Sequence, residues 1–192
     1  MRDAQSRRAP LRTAAIAGLA LGAGLCAAAD SPFKLLSSAI VPNSSIAADQ
    51  VYSGFGCTGK NLSPPLIWSG APEGTQSFAL TMYDPDAPTG SGWWHWVVYD
   101  IPASVTVLDA GAGNPGGKLP LGAVQGRTDY GTTGYGGPCP PKGDKPHRYI
   151  LTVYALKTAR LDVPAGSSAA MVGFAIGANK LSSASIAAFY GR

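Results

Sequence analysis

Three runs of residues restrict most strongly what this chain can fold into. They are residues 76–84 (QSFALTMYD), 93–101 (WWHWVVYDI) and 148–156 (RYILTVYAL). Each run is almost continuously apolar and rich in β-branched and aromatic residues, which is typical of a strand buried on both faces. In the first run, alternation places Phe78, Leu80 and Met82 on one face of the strand. We therefore predict central strands of a β-sandwich that is covered on both sides.

The segments between these runs favour a loop-rich fold with little helix. The chain contains 25 Gly and 16 Pro, and only one of its 11 acidic residues is Glu, so exposed helices with Glu–Lys ladders are scarce. Residues 167–181 (SSAAMVGFAIGANKL) predict one good helix, because a serine can cap small apolar residues at helical spacing. Residues 185–190 predict a last strand and residues 103–120 a loop. The predicted fold class is mainly β with a few helices, in a single domain over residues 30–192.

The N-terminus has the pattern of an export signal. Four arginines lie within the first 12 residues and are followed by the uncharged, apolar residues 13–25 and by the small residues 27–29 (AAA). A run of 13 apolar residues is too short to span a bilayer as a helix. We predict a signal peptide over residues 1–29, of the Sec or the twin-arginine type, and a periplasmic or secreted protein without a transmembrane anchor. A membrane anchor and a lipid on Cys26 are the alternatives.

Removal of that signal changes both the charge and the cysteine count. Four of the 15 basic residues and one of the 11 acidic residues are lost, which leaves a net charge of +1 and no basic cluster. Nucleic acid and anionic membrane surfaces are therefore not expected partners. Cys57 and Cys139 remain as a pair in an oxidising compartment, where a disulfide is their simplest use. Two buried free thiols are the alternative.

Polar groups occur where the strand-like runs meet loops rich in Gly and Pro. DPDAP follows the first run, WWHW opens the second, and GGPCPP precedes HRY at the third. Period two places Trp93 with His95, and His147 with Tyr149, on one face of their strands. Two imidazoles near their ordinary pKa of about 6.5, one of them held by a carboxylate, suit a phosphate or carboxylate head group. Each group alone is better explained as a turn carboxylate or by core packing, and only the three motifs together favour a pocket.

DPDAP, the W-x-H motif, the Pro140–Pro141 pair and HRY, in this order, resemble the phosphatidylethanolamine-binding protein family, also called Raf kinase inhibitor protein-like, in its bacterial branch. The likeness covers residues 54–192. It implies a β-sandwich of two antiparallel sheets with flanking helices, no common catalytic activity, and no required metal or cofactor. It also implies a pocket that binds phosphate, phosphoethanolamine-like or acetate-like groups. The ligand-binding residues that it implies are Asp84, Trp93, His95, Pro141, His147 and Tyr149.

We therefore expect an exported binding protein, not an enzyme, whose ligand is a small anion or zwitterion such as phosphate or phosphoethanolamine. One alternative is a secreted interaction protein, for example an inhibitor of an exported hydrolase, with a protein partner docked at the pocket. The other is a metal-dependent hydrolase or oxygenase that uses Asp84, His95 and His147 as ligands. The spacing of these three residues matches no metal motif.

Overall fold

The computed structural model of the protein describes residues 32–192. The predicted signal peptide, residues 1–29, lies outside the described residues. The elements in chain order are β1 (Lys34–Leu36), β2 (Ser53–Gly54), β3 (Cys57–Thr58), β4 (Leu66–Ser69), β5 (Ser77–Asp84), β6 (Trp93–Pro102), β7 (Val107–Leu108), β8 (Val124–Gln125), β9 (His147–Leu156), α1 (Ala169–Asn179) and β10 (Lys180–Tyr190).

Two antiparallel sheets pack face to face. The large sheet has the order β10-β9-β5-β6-β8, the smaller one β1-β4-β7, and β2 pairs with β3 in a separate ribbon. Buried side chains of both sheets form the core between them, including Trp68 from the small sheet and Phe78, Leu80 and Met82 from β5. These last three residues lie on one face of β5, as their alternation predicts. The mainly β, antiparallel sandwich expected from the sequence is confirmed.

The opposite face of the large sheet is covered as well. Val172 and Ile176 of α1 pack with Ala79 of β5 and Val97 of β6 in a second apolar cluster. All four side chains are buried. The central strands are therefore buried on both faces, and this accounts for their almost continuous apolar sequences.

The single α-helix of the described residues is shorter than predicted. Ser168 caps it, with its hydroxyl accepting a hydrogen bond from the Met171 amide, and Lys180 already has extended backbone dihedrals. The prediction of helix through residue 181 is wrong, because Lys180 instead pairs with Leu156 and begins β10. That strand starts five residues before the predicted 185–190. In residues 32–192, no helix is long and apolar enough to cross a membrane.

The segment predicted as loop, residues 103–120, also contains a strand. Val107 and Leu108 form β7 and pair with Ile67 and Leu66 of β4. A two-residue strand has too short a pattern to be recognised from alternation. Its contribution to the fold is Leu108, which is buried in the core between the sheets.

The strand order brings three chain segments to one edge of the large sheet. β5 lies between β6 and β9 and is antiparallel to both. The end of β5 therefore lies beside the starts of β6 and β9, with Asp84 paired to Trp93 and Tyr83 paired to Ile150. All three strand-end motifs identified in the sequence meet at this edge.

Candidate functional site

A cavity of about 210 Å³ opens at this edge of the sheet. It is smaller than pockets for drug-sized ligands, which measure roughly 300–1,000 Å³, and it suits a head group of a few atoms. All six residues that the resemblance implied line it, together with seven others. The full lining is Phe55, Asp84, Ala87, Pro88, Thr89, Trp93, His95, Tyr130, Cys139, Pro140, Pro141, His147 and Tyr149.

A buried carboxylate–imidazole pair forms one wall. The Nδ1 of His147 lies 2.8 Å from Asp84 Oδ2, and the side chains are only 5% and 3% exposed. The other oxygen of Asp84 accepts a hydrogen bond from the Asp86 amide at 2.8 Å, so the carboxylate cannot rotate freely. The Nε2 of His147 lies 3.4 Å from the carboxylate of Asp144. Asp84 therefore holds an imidazole, as the sequence suggested, and that imidazole belongs to His147.

The second imidazole, His95, is held by the loop instead. Its Nδ1 lies 2.7 Å from the carbonyl oxygen of Gly136, and the side chain is buried. Burial disfavours the cation and lowers the pKa of His95 to about 4. The expectation of two imidazoles near their ordinary pKa is therefore wrong for His95, because β6 carries it into the protein interior, away from water.

We predict that His95 makes the fold sensitive to acid. In the unfolded chain it binds a proton near pH 6.5, but in the folded protein only near pH 4. The unfolded state therefore holds more protons between these values, and the free energy of unfolding should fall by about 2 kcal/mol between pH 7 and pH 4.5. Urea denaturation of the parent and of His95→Asn at both pH values measures this. If the free energy of unfolding falls by the same amount in the parent and in the variant, the prediction is contradicted.

The neighbouring carboxylate, Asp86, acts in a different pH range. It accepts hydrogen bonds from the Arg148 guanidinium at 2.6 and 2.9 Å and from the Arg148 amide at 2.9 Å. The side-chain bond to Arg148 lowers the pKa of Asp86 to about 2. Its stabilising contribution is therefore lost only below about pH 4, as the pH falls towards the lowered pKa. Asp86 does not line the cavity and stiffens the loop that follows Asp84.

Two hydrogen-bond donors in the wall lack a well-placed partner. The indole Nε1 of Trp93 and the hydroxyl of Tyr149 are buried and make no hydrogen bond of standard geometry with any residue of 32–192, although the Tyr130 hydroxyl lies near the indole and the Asp84 carboxylate near the Tyr149 hydroxyl. Burial raises the pKa of Tyr149, so its hydroxyl keeps its proton. A buried donor without a partner costs about 1–3 kcal/mol. Both donors line the same cavity, where a ligand can satisfy them.

The loop that carries Cys139 and the two prolines lies close to the rest of the site. The Gly136 amide donates to the His95 carbonyl at 2.9 Å, and the Gly137 amide donates to Asn61 Oδ1 at 2.7 Å. A Cβ at Gly137 would collide with the carbonyl oxygen of Gln50, and one at Gly136 with the ring of Tyr130. Glycine at both positions therefore allows the loop to lie directly against Gln50 and Tyr130.

A disulfide and the last residue of the chain tie this loop to a second one. Cys57 and Cys139 are bonded, with Cα atoms 6.0 Å apart. The guanidinium of Arg192 donates to the carbonyls of Pro140 at 2.7 Å, Gly56 at 3.0 Å and Phe55 at 3.1 Å. The disulfide pairing predicted from the cysteine count is present. The sequence showed no sign of the role of Arg192.

Aromatic side chains at the cavity mouth were also missed. Tyr130 stacks on the rings of Tyr52 and Phe55, with centroid distances of 4.4 and 5.9 Å, and it packs edge-on against Trp93 at 5.4 Å. Its hydroxyl donates to the Gly137 carbonyl at 2.7 Å. Phe55 and Tyr130 line the cavity from loops that have no periodic pattern, so the sequence offered no signal for them.

The predicted metal alternative finds no support in the geometry. Residues 32–192 contain no group of three or more His, Cys, Asp or Glu side chains placed to hold a metal ion. Asp84 and His147 face each other in a hydrogen bond, and the Nδ1 of His95 faces Gly136. The three side chains do not converge on one point.

Residues 36–191 match the family model described as phosphatidylethanolamine-binding protein. Among curated proteins, YbcL of Escherichia coli K12, a UPF0098 protein, is 57% identical over 159 residues, which cover 82% of this chain and 87% of YbcL. YbhB, a second UPF0098 protein of E. coli K12, is 50% identical over 157 residues, covering 82% of this chain and 99% of YbhB.

Solved structures agree. The crystal structure of E. coli YbcL aligns with a TM-score of 0.82 at 55% identity and covers 84% of this chain and 99% of that one. CT736 of Chlamydia trachomatis, a homolog of phosphatidylethanolamine-binding protein, aligns with a TM-score of 0.69 at 30% identity. The alignment covers 83% of this chain and 97% of CT736. The fold, the family model and these identities lead to one conclusion: the chain belongs to the phosphatidylethanolamine-binding protein family.

Proposed function

We propose that the protein is an exported binding protein, without catalytic activity, whose cavity holds a small anionic or zwitterionic head group such as phosphate or phosphoethanolamine. The observation that carries this proposal is the pair of buried donors without a well-placed partner, Trp93 Nε1–H and Tyr149 O–H, in the wall of one small cavity. An oxyanion accepts hydrogen bonds from such donors and removes the cost of leaving them unsatisfied.

The remaining groups complete a site of this kind. His147, held by Asp84 at Nδ1 and with its Nε2 3.4 Å from the Asp144 carboxylate, adds a fixed polar side chain to the wall. Pro140 and Pro141 form a stiff apolar wall, and Trp93 and Tyr130 form an aromatic one. These walls suit the methylene groups of phosphoethanolamine.

Export is the second half of the proposal. The predicted signal over residues 1–29 supports it, and so does the Cys57–Cys139 disulfide, because such bonds persist in oxidising compartments and are rare in the cytosol. The mature protein would then meet its ligand in the periplasm or outside the cell.

Calorimetric titration of the purified protein with phosphate and with phosphoethanolamine at pH 6 tests the pocket. We expect saturable binding that Tyr149→Phe weakens roughly 10- to 100-fold, because one hydrogen bond to a charged group is lost. Tyr154→Phe is the matched control, since Tyr154 is on the same strand and does not line the cavity. Equal losses in both variants, or no binding by the parent, would count against the proposal.

A second candidate is a docking site for a protein partner. Phe55 favours it, because its ring lines the cavity and is 69% exposed, so a partner bound at the cavity would cover it. Capture of a phosphate-sized ligand deep in the cavity makes no use of that exposed ring surface. An interaction protein or inhibitor would use it as an anchor.

A further inference from the structure

The hydrogen bond of His95 decides what this side chain can offer to a ligand. A backbone carbonyl oxygen can only accept, so the 2.7 Å contact with Gly136 requires a proton on Nδ1. In the neutral ring the other nitrogen, Nε2, then carries a lone pair and can only accept. His95 lines the cavity, and its Nδ1 is already used, so Nε2 is the nitrogen that remains for a ligand.

The surroundings of His95 keep the ring neutral. Tyr149 and Tyr130 pack edge-on against it at centroid distances of 5.1 and 5.7 Å, and burial raises the pKa of both phenols, so neither carries charge. The carbonyl groups of Gly136 and Gly137 and the carboxylates of Asp84 and Asp129 favour the protonated ring, but burial outweighs them, and the pKa is lowered to about 4. At pH 6 the cavity therefore presents an acceptor at Nε2 beside donors at Trp93 and Tyr149.

Building on the proposed function, we propose that this cavity selects oxyanions that carry a proton, namely inorganic phosphate and phosphomonoesters, over oxyanions that carry none, such as sulfate and phosphodiesters. The P–OH group of the ligand donates to His95 Nε2, while its other oxygens accept from Trp93 and Tyr149. Sulfate and diesters have no proton to donate, so two lone pairs would face each other at His95 unless the ring took up a proton from solvent.

The charge of the site also favours protonated oxyanions. Asp84 is a buried carboxylate in the cavity wall, and Asp144 lies 3.4 Å from the ring of His147. A protonated oxyanion brings less negative charge towards these carboxylates than its dianion does. One consequence concerns the source of the ligand: free phosphoethanolamine is a monoester and fits, whereas the head group of an intact phospholipid is a diester and does not.

Two matched ligand pairs test the selectivity at pH 6 by calorimetry with the purified protein. The pairs are phosphoethanolamine against glycerophosphoethanolamine, and inorganic phosphate against sulfate. The ligand without a proton requires His95 to be protonated two pH units above its pKa, so we expect it to bind about 100-fold more weakly. Repeating the titrations in buffers with different heats of ionisation should show uptake of about one proton with sulfate and less with phosphate.

A substitution of His95 tests the same selectivity in a second way. His95→Asn replaces the ring by a carboxamide, which can turn its NH₂ towards the ligand, so the preference for phosphate over sulfate should fall below roughly 10-fold. Leu121→Ala is the control, because Leu121 is exposed and lies outside the cavity. If His95→Asn does not fold, the proton uptake measured with the parent tests the selectivity by itself. Equal affinity of the parent for all four ligands would overturn the selectivity and leave the proposed function standing, whereas binding of none would overturn both.

Discussion

Replacement of Asp84 by alanine is expected to lower the free energy of unfolding by about 3–5 kcal/mol and to abolish ligand binding. Its carboxylate accepts hydrogen bonds from His147 Nδ1 and from the Asp86 amide, and its side chain is only 3% exposed. Removal of this buried carboxylate leaves the imidazole of His147 and the Asp86 amide unsatisfied where water cannot reach them, and this accounts for the large effect. Urea denaturation and phosphate titration of the variant measure the two losses.

Asp144→Ala is the matched control for that experiment. Its carboxylate lies 3.4 Å from the other nitrogen of the same imidazole, but its side chain is 41% exposed. Water can replace an exposed carboxylate, so the variant should lose less than about 1 kcal/mol. Similar losses in the two variants would mean that burial does not determine the strength of the pair and that Asp84 does not position His147 as described.

Removal of the disulfide is expected to destabilise the protein by about 4 kcal/mol in the chain-entropy description. The bonded cysteines are 82 residues apart, so the bond restricts a long stretch of the unfolded chain. Cys139 also lines the cavity, in the loop that holds His95 through Gly136. The double variant Cys57→Ser, Cys139→Ser should therefore bind phosphate more weakly as well. Denaturation midpoints of the oxidised parent and of the variant provide the measurement.

Treatment with reductant separates the bond from the substitutions. Dithiothreitol should lower the midpoint of the parent to that of the double variant and leave the variant unchanged. Arg192→Ala offers a comparison, because the guanidinium bridges the same two loops without a covalent bond. Restriction of the unfolded chain is specific to the disulfide, so Arg192→Ala should cost much less. An unchanged midpoint of the reduced parent would show that the bond does not stabilise the protein.

The long strands could be predicted closely because each is determined by a local pattern. The alternation of Phe78, Leu80 and Met82, and the almost continuously apolar sequence that includes Ala79 on the opposite face, already indicate a strand covered on both sides. Features without a local pattern were missed. β7 has two residues, and the start of β10 at Lys180 depends on pairing with Leu156, which lies in another strand.

The site shows the same division between local and long-range information. Motif order and the resemblance to a family identified all six residues that now line one cavity. The sequence left open which imidazole Asp84 would hold. It did not indicate the low pKa of His95, the aromatic neighbours Phe55 and Tyr130, or the contacts of Arg192.

By itself, the sequence determined the residue types of the site and the strands that carry them, because alternation, turn residues and motif spacing act over a few neighbouring positions. Only the tertiary structure decided that β5 lies between β6 and β9, and hence that Asp84 meets His147 while His95 meets Gly136. Strand order and burial arise from contacts between residues far apart in the chain. Burial sets the charge state of a group such as His95, and no local pattern specifies it.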